Sequence, residues 1–516
     1  MKRIRGLLRI IFGRTTFVIV SLLIQVGILI VGSSYLSHKS SIFFSGISMV
    51  GGLVIIYILN KRENPGFKLA WMVPIAAFPV FGILIYIFME FQIDGKLIDR
   101  KVKININETA PFMQQDGRVL EDLYEESRQN GNLAAYIYRA GNCPVYENTY
   151  AKYYSIGEDM FEAMKEELLK AQRFIFMEYF IVERGLMWNS ILEILEQKVK
   201  EGVEVRFMYD GTCCMALLPY RYPKELEDKG IRAKMFSPIR PALSTYQNNR
   251  DHRKILVIDG HTAFTGGINL ADEYINKKVR FGHWKDTGIM LKGDAVTSFT
   301  MMFLQLWNVS EKGREDYGKY LQDPHYQYPG DLDRKGFVIP YGDSPLDKET
   351  VGEQVYLDII NTARTYVHIM TPYLILNYEL IQALTFAAKR GVETVVIMPH
   401  IPDKKYAFLL AKAHYAELIE AGVQIYEYTP GFVHAKVFSS DDCKAVVGTI
   451  NMDFRSLYLH FECAAYLYKN SAVREVERDF QETLRKCQNI TLEDCREYPW
   501  YKKFAGAVLK VFAPLM

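Results

Sequence analysis

The chain has 516 residues, of which 62 are basic and 60 acidic, so its formal net charge is +2. This length predicts roughly two or three folding units, and the near balance of charge excludes both a global attraction to nucleic acid and a polyanionic character. The seven cysteines are scattered, odd in number and without paired metal-ligand spacing, which argues against a zinc site and against a disulfide framework.

Three apolar runs lie in the N-terminal region, at residues 15–36, 41–59 and 69–89. Each approaches or exceeds the roughly 20 residues that a helix needs to cross a bilayer, and we predict three membrane helices. Pro74 and Pro79 are expected to kink the third helix or to make it partly re-entrant. A cleaved signal peptide is the alternative for the first run, but its length and the lack of a small-residue cleavage site oppose it. The region is therefore predicted to be a multi-pass anchor in the cell membrane.

The side of the membrane that faces the rest of the chain stays open. Basic residues are more frequent before the first run and between the second and third runs than on the opposite side. By the positive-inside rule, this bias favours an outward-facing soluble part if all three runs span the membrane. If only two of them span it, the soluble part faces the cytoplasm.

From about residue 91 onward, β-branched and aromatic runs alternate with charged helical stretches, a pattern typical of an α/β protein. An order of strand, helix and strand occupies residues 173–180, 191–200 and 202–210, and again residues 366–373, 380–389 and 391–398. A further pair of strands matches at residues 230–236 and 422–428. The repeated order predicts two similar lobes.

We therefore expect four segments along the chain: a transmembrane anchor at residues 1–90, a first lobe at 91–312, a linker at 313–344 and a second lobe at 345–516. The linker is rich in Tyr, Asp, Gly and Pro. The C-terminal stretch from residue 498 mixes aromatic and aliphatic residues with lysines. It fits either a helix that closes the core of the second lobe or a helix in a membrane interface.

Each lobe contains the same motif, H-x-K-x4-D-x6-G-x-x-N. Its fixed residues are His252, Lys254, Asp259, Gly266 and Asn269 in the first lobe and His434, Lys436, Asp441, Gly448 and Asn451 in the second. Five fixed identities should match a given starting position on the order of once in ten million, so two matches in one chain are not a coincidence.

The spacing of the motif residues has a physical explanation. A His and a Lys two residues apart on a strand point to the same face, so each lobe presents an imidazole beside an ammonium group. Asn can donate to phosphate oxygens, and Gly allows a close approach of the backbone. Asp259 and Asp441 lie five residues after the lysine, on the opposite face, which favours a structural role although both belong to the motif.

Anion binding suits these side chains better than metal binding. The lysines would repel a cation, and no set of cysteines or carboxylates nearby completes a metal shell. A phosphodiester placed between two lysines would have its charge neutralised without a metal ion. We therefore expect neither a metal nor a cofactor.

The paired motif resembles that of the phospholipase D superfamily, and the resemblance covers the chain from about residue 150 to the C-terminus. It implies one active site between two lobes that are related by a pseudo-twofold axis. By this resemblance His252 is the nucleophile that forms a phosphohistidine, His434 is the general acid and base, and Asn269 and Asn451 bind phosphate.

A nucleophilic imidazole needs an acceptor on its other nitrogen to fix the tautomer. Asp286 follows the first motif and Glu462 follows the second, at places where members of the superfamily carry such partners. The alternative for both residues is a carboxylate in a surface salt bridge.

Within the superfamily, the chain is most similar to bacterial cardiolipin synthases. The similar segments are residues 64–71, 79–82, 250–260, 266–274, 371–373 and 451–456. This resemblance implies transfer of a phosphatidyl group from one phosphatidylglycerol to another, giving cardiolipin and glycerol, with membrane lipids as partners. Lys285, Thr449 and His460 stand where the family commonly has Arg, Ser and Asn, and three apolar runs stand where two are usual.

Other functions stay open at this point. A membrane-bound phospholipase D would release phosphatidic acid by the same chemistry. A catalytically idle membrane scaffold is disfavoured because no motif residue is lost, and a nuclease is disfavoured by the apolar N-terminal region and the near-zero charge. The oligomeric state is not indicated.

Overall fold

The computed structural model describes residues 20–27, 40–90, 93–236, 249–311, 313, 315–328, 330–347 and 349–515. The chain forms two compact units. One contains the described residues up to Ile98 and those from Ala507 onward, and the other contains the described residues from Asp99 to Gly506. The histidine motifs of both lobes lie in the second unit.

The N-terminal unit includes helices α1 (Ser40–Asn60), α2 (Pro65–Ala77) and α3 (Pro79–Glu90). Most of the first apolar run lies outside the described residues. Of this run the structure describes residues 20–27, which are helical. Helix α1 covers the second run. Within the part of the chain that the structure describes, no helix combines the length and the apolar character needed to cross a membrane.

The third apolar run forms two helices, which corrects the expectation of a single one. The break falls just before Pro79, whose ring restricts the backbone and removes an N–H donor. The two helices pack closely, since a Cβ added at Gly82 would lie 2.7 Å from the Cα of Ile75. The Nζ of Lys61, before α2, lies 2.6 Å from Oε1 of Glu90, at the end of α3. The chain therefore leaves this run close to the point where it entered.

The larger unit contains one sheet from each predicted lobe. The first sheet has the order β1-β9-β7-β6-β2-β3-β4, and the second has the order β10-β17-β16-β15-β11-β12-β13-β18. The strands are β1 (Thr149–Tyr154), β2 (Phe174–Tyr179), β3 (Glu204–Asp210), β4 (Arg232–Phe236), β5 (Arg250–Asp251), β6 (Ile255–Ile258), β7 (Thr262–Gly266), β8 (His283–Lys285), β9 (Gly288–Gly293), β10 (Phe337–Asp343), β11 (Tyr366–Met370), β12 (Glu393–Pro399), β13 (Gln424–Tyr428), β14 (Gly431–Val433), β15 (Val437–Ser440), β16 (Lys444–Gly448), β17 (His460–Tyr468) and β18 (Cys487–Ile490). The order β9-β7-β6-β2-β3-β4 matches β17-β16-β15-β11-β12-β13, which confirms the internal repeat.

Helices precede, connect and follow these strands. They are α4 (Ile93–Thr109), α5 (Gly117–Glu126), α6 (Arg128–Gly141), α7 (Gly157–Lys170), α8 (Leu186–Lys200), α9 (Tyr222–Glu227), α10 (Val296–Trp307), α11 (Val351–Thr362), α12 (Tyr378–Lys389), α13 (Lys405–Glu420), α14 (Phe454–Tyr458), α15 (Ala472–Leu484), α16 (Leu492–Glu497) and α17 (Trp500–Phe512). Short 3-10 turns lie at Ala110–Phe112, Asp272–Ile275, Asn308–Ser310, Tyr317–Tyr320 and Ala513–Leu515.

The cores of the two lobes are formed where these helices cover the sheets. β2 and β11 are buried along their whole lengths, as expected for continuous apolar strands in the middle of a covered sheet. In the first lobe, Trp188 of α8 stacks on Phe207 of β3, with ring centroids 4.6 Å apart. In the second, Tyr356 of α11 stacks on Phe438 of β15 at 4.0 Å.

The connection between the lobes is structured at both ends. Near its start, the hydroxyl of Tyr320 donates to Glu204, which ties the connection to β3 of the first lobe. At its end, β10 pairs antiparallel with β17 and is therefore part of the second sheet.

The motif aspartates occupy matching turns in the two lobes. Asp259 has a φ of 53° and Asp441 a φ of 54°, in the left-handed region that Asp tolerates better than most residues. The carboxylate of Asp259 accepts from the backbone N–H groups of Gln172, Arg173 and Phe174 at 2.7 to 2.8 Å, at the start of β2. Asp441 accepts in the same way from three successive N–H groups at the start of β11. Since β6 and β15 separate these aspartates from the motif lysines, their hydrogen bonds fit a structural role.

We expect Asp259→Asn to lower the free energy of unfolding by about 2 kcal/mol, because an amide replaces a buried, charged acceptor of three backbone N–H groups. Urea unfolding of the full-length chain in detergent measures this change. Asp228→Ala, at an exposed position after α9, is the control and should leave the midpoint unchanged. Equal midpoints for the two variants would contradict the structural role.

Candidate active site

The two histidine and lysine pairs occupy equivalent places. His252 and Lys254 lie between β5 and β6, and His434 and Lys436 lie between β14 and β15. The expectation that each pair lies on a strand is wrong in detail, because the strand begins one residue after each lysine. The Nζ of Lys254 donates to the carbonyl of His252 at 2.6 Å, and Lys436 donates likewise to the carbonyl of His434. The histidine and the ammonium group of each lobe are thereby held together.

Each histidine is fixed by a strand of the opposite lobe. β5 pairs in parallel with β17, and the N–H of His252 donates to the carbonyl of Phe461 at 3.0 Å. β14 pairs in parallel with β8, and the N–H of His434 donates to the carbonyl of Lys285 at 2.7 Å. The residue after each of these carbonyls is a carboxylate, so the register brings an acidic side chain to each imidazole.

The resulting histidine and carboxylate pairs are crossed between the lobes. Oε1 and Oε2 of Glu462 lie 2.8 and 3.0 Å from Nδ1 of His252. Oδ2 of Asp286 lies 2.7 Å from Nδ1 of His434. A carboxylate accepts hydrogen bonds, so in each pair Nδ1 carries the proton and Nε2 keeps its lone pair. Sequence reasoning found both carboxylates, but it did not find which imidazole each one binds.

The two carboxylates are held by different neighbours. The hydroxyl of Thr449 donates to Oε2 of Glu462. The first motif has Gly267 at the matching position, and a Cβ added there would lie 2.0 Å from Oδ1 of Asp286. Although burial raises the pKa of Asp286, the interaction with His434, the charge of Lys436 and the hydrogen bond from the N–H of Thr287 together outweigh this effect, and the pKa is lowered. The two histidine and carboxylate pairs therefore have the same arrangement, but their carboxylates have different neighbours.

The site combines burial with positive charge. Burial lowers the pKa of Lys254 to about 8 and that of Lys436 to about 7. Burial and the charge of Lys436 lower the pKa of His434 to about 4. Burial, Lys254 and Lys436 together hold the pKa of His252 well below its ordinary value. Both imidazoles are therefore neutral near about pH 7, and the field between the two lobes attracts an anion.

Aromatic rings surround both imidazoles. The ring centroid of His252 lies 4.6 Å from that of Phe180 and 5.5 Å from that of His460. The ring of His434 lies 5.4 Å from that of Trp284. These contacts reduce the access of water to the imidazoles, which favours a reaction that must discriminate against hydrolysis.

His460 is a further buried imidazole beside the site. Neither of its ring nitrogens has a hydrogen-bond partner in the described chain, and burial lowers its pKa to about 4. His252, His460 and Glu462 offer ligand atoms within 4.8 Å of one another, a set that could hold a metal ion. The positive charges of Lys254 and Lys436 oppose the binding of a cation here, so the site is better suited to bind an anion than a metal ion.

The motif asparagines are oriented by neighbouring hydroxyl groups. Asn269 donates to the hydroxyl of Tyr274 at 2.8 Å, and its Oδ1 accepts from the N–H of Ile181 at 3.0 Å. Asn451 donates to the hydroxyl of Ser456 at 3.1 Å. Each amide keeps a second N–H that is not used in these bonds. Phosphate binding by these amides stays a prediction.

Lys404 was missed by the sequence reasoning. Its Nζ lies 4.9 Å from the ring centroid of Tyr373, whose hydroxyl donates to Asp403 at 2.6 Å. The charge of Lys404 contributes to the lowered pKa of His252, after burial and the nearer cations. Its only sequence signal was its place after a strand of the repeat, which a single sequence does not separate from an ordinary surface lysine.

Family models match both regions of the chain. The model described as cardiolipin synthase, PLD-like domain, matches residues 164–307 and 356–484. These segments contain both motifs and both crossed carboxylates. The chain belongs to the cardiolipin synthase family of the phospholipase D superfamily. A second model, described as phospholipase D-nuclease N-terminal, matches residues 52–89.

Several relatives cover nearly the whole chain. A cardiolipin synthase of a Geobacillus species is 33% identical over 510 residues, which are 97% of this chain and 99% of the relative. Cardiolipin synthase 2 of Bacillus anthracis is 33% identical over 471 residues, or 90% of each chain. A protein of Streptococcus mutans, described as uncharacterised, is 51% identical over 468 residues, which are 91% of this chain and the whole of the relative.

Solved structures share the fold. The crystal structure of phosphatidylserine synthase from Haemophilus influenzae matches with a TM-score of 0.54 and 14% sequence identity, over 75% of this chain and 97% of that chain. At this identity the match supports the α/β architecture of the cardiolipin synthase family.

We expect Gly267→Ala to lower the turnover of a phosphodiester substrate by on the order of 100-fold, because the new Cβ forces Asp286 away from His434. Initial rates measure the loss, and thermal unfolding shows whether the fold is kept. Gly117→Ala, where an added Cβ would meet nothing within 4 Å, is the matched control. Full activity of Gly267→Ala would show that the contact between Asp286 and His434 is dispensable.

Proposed function

We propose that the protein is a cardiolipin synthase, which transfers a phosphatidyl group from one phosphatidylglycerol to another and releases glycerol. The observation that carries this proposal is the pair of crossed imidazole and carboxylate contacts beside two buried lysines. Membership of the cardiolipin synthase family supports the choice of lipid substrate. The same chemistry with water as acceptor would make a phospholipase D, and the product assay below separates the two.

The first step forms a covalent intermediate. Nε2 of His252 attacks the phosphorus of the first phosphatidylglycerol, while Glu462 holds the Nδ1 proton and stabilises the positive charge that develops on the ring. The bond from phosphorus to the glycerol headgroup oxygen breaks. His434 gives a proton to that oxygen, so glycerol leaves as a neutral alcohol and phosphatidyl-His252 remains.

Substrate binding raises the pKa of His434, so that the imidazole takes up from solvent the proton that this step needs. In the free enzyme, burial and the lysine charges keep the pKa of His434 at about 4, so the ring is neutral. A phosphodiester anion between Lys254 and Lys436 cancels part of the positive field, which raises the pKa of the imidazole. Asp286 then stabilises the imidazolium form of His434. The acid is thus formed only when an anionic substrate occupies the site.

The second step reverses the roles. A hydroxyl of the second phosphatidylglycerol gives its proton to His434 and attacks the phosphorus of phosphatidyl-His252. The bond from phosphorus to nitrogen breaks, cardiolipin is released and His252 is restored. One phosphodiester replaces another, so no nucleotide is consumed. The aromatic rings around the imidazoles favour a lipid hydroxyl over water as the acceptor.

We further propose a multi-pass anchor in the cell membrane at residues 1–90, a first lobe at 91–312 and a linker that starts at residue 313. The expected linker at 313–344 is too long at its end, because β10 (Phe337–Asp343) pairs with β17 and belongs to the second lobe, expected at 345–516. In α1 the side chains of Leu53, Ile56 and Tyr57 are exposed, as a bilayer would require. The return of the chain from Lys61 to Glu90 supports a re-entrant pair of helices for α2 and α3. A membrane anchor would hold the site where both lipid substrates are concentrated.

The purified chain is expected to convert labelled phosphatidylglycerol into cardiolipin and glycerol, and His252→Ala and His434→Ala should each abolish this conversion while keeping the melting temperature. Chromatography of the lipid products measures the outcome. Phosphatidic acid as the main wild-type product would identify a hydrolase, and cardiolipin from either variant would refute the assigned chemistry.

The order of the two histidines is tested with a p-nitrophenyl ester of phosphatidic acid, whose leaving group needs no proton. His434→Ala should then accumulate a phosphatidyl adduct on His252, seen in the mass of the intact protein, whereas His252→Ala should form none. An adduct in His252→Ala alone would reverse the two roles.

The value of kcat/KM is expected to fall as the pH rises through about 7 to 8, because Lys436 and then Lys254 lose the charge that attracts the phosphodiester. Lysine is charged below its pKa, so the loss lies on the alkaline side. Lys436→Arg stays charged and should move this alkaline limb up by about one pH unit or more. Initial rates across the pH range measure the limb.

Lys152→Arg, on an exposed strand position, is the matched control and should keep the wild-type profile. Lys254→Arg provides a second test if arginine is not tolerated at position 436. An alkaline limb that stays in place in an active arginine variant would rule out the lysines as its origin.

A further inference from the structure

The C-terminal helix α17 exposes an aromatic face. Trp500, Tyr501 and Phe504 are 77%, 57% and 67% exposed, and Val508 and Val511 are also exposed. Successive residues of a helix advance by about 100°, so these five side chains share one face. The sequence left open whether this stretch closes a core or lies in a membrane interface, and these exposures argue against core closure for this face.

The opposite side of α17 packs against the second lobe. A Cβ added at Gly506 would lie 2.9 Å from the carbonyl oxygen of Leu409 and 3.2 Å from the Cβ of Ala413, both in α13. This close approach requires glycine and fixes the rotation of the helix. The aromatic face, made of Trp500, Tyr501 and Phe504, therefore points away from α13.

The composition of α17 fits an anionic lipid surface. Trp and Tyr have an apolar body and a polar group, and they favour the boundary between headgroups and acyl chains. The helix carries Lys502, Lys503 and Lys510 and contains no acidic residue. Lysines beside an aromatic face add attraction to anionic headgroups, whereas a protein partner would not require this one-sided charge.

The position of α17 relates the aromatic face to the active site. α13, on which α17 packs, begins at Lys405, directly after Lys404. Lys404 is exposed, and its ammonium group lies over the ring of Tyr373. The residue after Tyr373, Leu374, forms a β-bridge with Met452, which directly follows the motif residue Asn451. The contact at Leu409 lies about one helical turn farther along α13. The aromatic face and Lys404, an exposed cation beside the site, are thus joined by the first turns of one helix.

We propose that the aromatic face of α17 docks on the surface of an anionic phospholipid bilayer and holds the side of the active site marked by Lys404 beside the lipid headgroups. The choice of a phospholipid surface rests on the proposed function, since the substrates are lipids. Docking places Lys404 and the site beside it at the depth of the headgroups, so that the phosphodiester of a bilayer lipid can reach the lysines without extraction of the whole lipid into water.

Docking is tested by fluorescence of the full-length chain reconstituted in vesicles of phosphatidylglycerol and phosphatidylcholine. Trp71→Phe removes the tryptophan of the N-terminal unit, and the remaining tryptophans other than Trp500 are buried. Brominated acyl chains should quench part of the emission, and the further change Trp500→Phe should remove most of the quenched part. Equal quenching with and without Trp500 would overturn docking.

The role of docking in turnover is tested with the double variant Trp500→Ser, Phe504→Ser. Its rate of cardiolipin formation should fall by about tenfold or more with vesicles but change by less than about twofold with substrate in detergent micelles, where no bilayer is needed. Tyr378→Ser, which removes an aromatic ring that is 71% exposed on α12, is the matched control. Equal losses in vesicles and micelles would overturn the proposal.

The two readouts separate the failure of docking from the failure of the proposed function. Quenching at Trp500, with no cardiolipin formed by the wild-type protein, would support the docking surface and contradict the proposed synthase activity. Self-association that is lost in the double variant, together with unquenched Trp500, would assign the face to a second copy of the chain and overturn docking.

Discussion

The structure of the site depends on the exchange of short strands between the two lobes. β5 of the first lobe pairs with β17 of the second, and β14 of the second lobe pairs with β8 of the first. Each exchange fixes the backbone of a histidine next to a carboxylate of the other lobe, so Glu462 reaches His252 and Asp286 reaches His434. Backbone pairing positions these groups more rigidly than side-chain packing alone could, because register in a parallel pair changes only in steps of whole residues.

This exchange also creates the electrostatic condition for catalysis. Lys254 and Lys436 are brought into one buried space, where each lowers the pKa of groups in the other lobe. Two buried ammonium groups are costly without an anion, and the carboxylates offset only part of that cost. In the proposed reaction, the substrate phosphodiester supplies the missing negative charge. In that mechanism, binding energy and the protonation of His434 arise from the same interaction, so that binding of an anionic substrate also starts the reaction.

Much of the fold and of the site could be predicted from the sequence. The features that could not be predicted have physical reasons. The repeat was visible because β2, β3, β11 and β12 are rich in β-branched, aromatic and other apolar residues, a pattern that needs no tertiary information. Asp286 and Glu462 were found by their place after the motifs, but their crossed partners depend on β8 and β5, which are too short to show a pattern. The strand expected through each histidine is interrupted because its neighbours there belong to the other lobe. The third apolar run divides at Pro79, where composition alone does not distinguish a kink from a break.

Because the site is divided between the two lobes, it cannot form in a nascent chain that lacks the second lobe. His252 and Lys254 are synthesised long before Glu462, which lies near the end of the second repeat. A nascent first lobe therefore holds a histidine without its acceptor and half of the positive charge that attracts phosphate. In the proposed reaction, activity toward phosphodiesters requires β17, which carries Glu462, so a chain that ends before β17 is expected to be inactive.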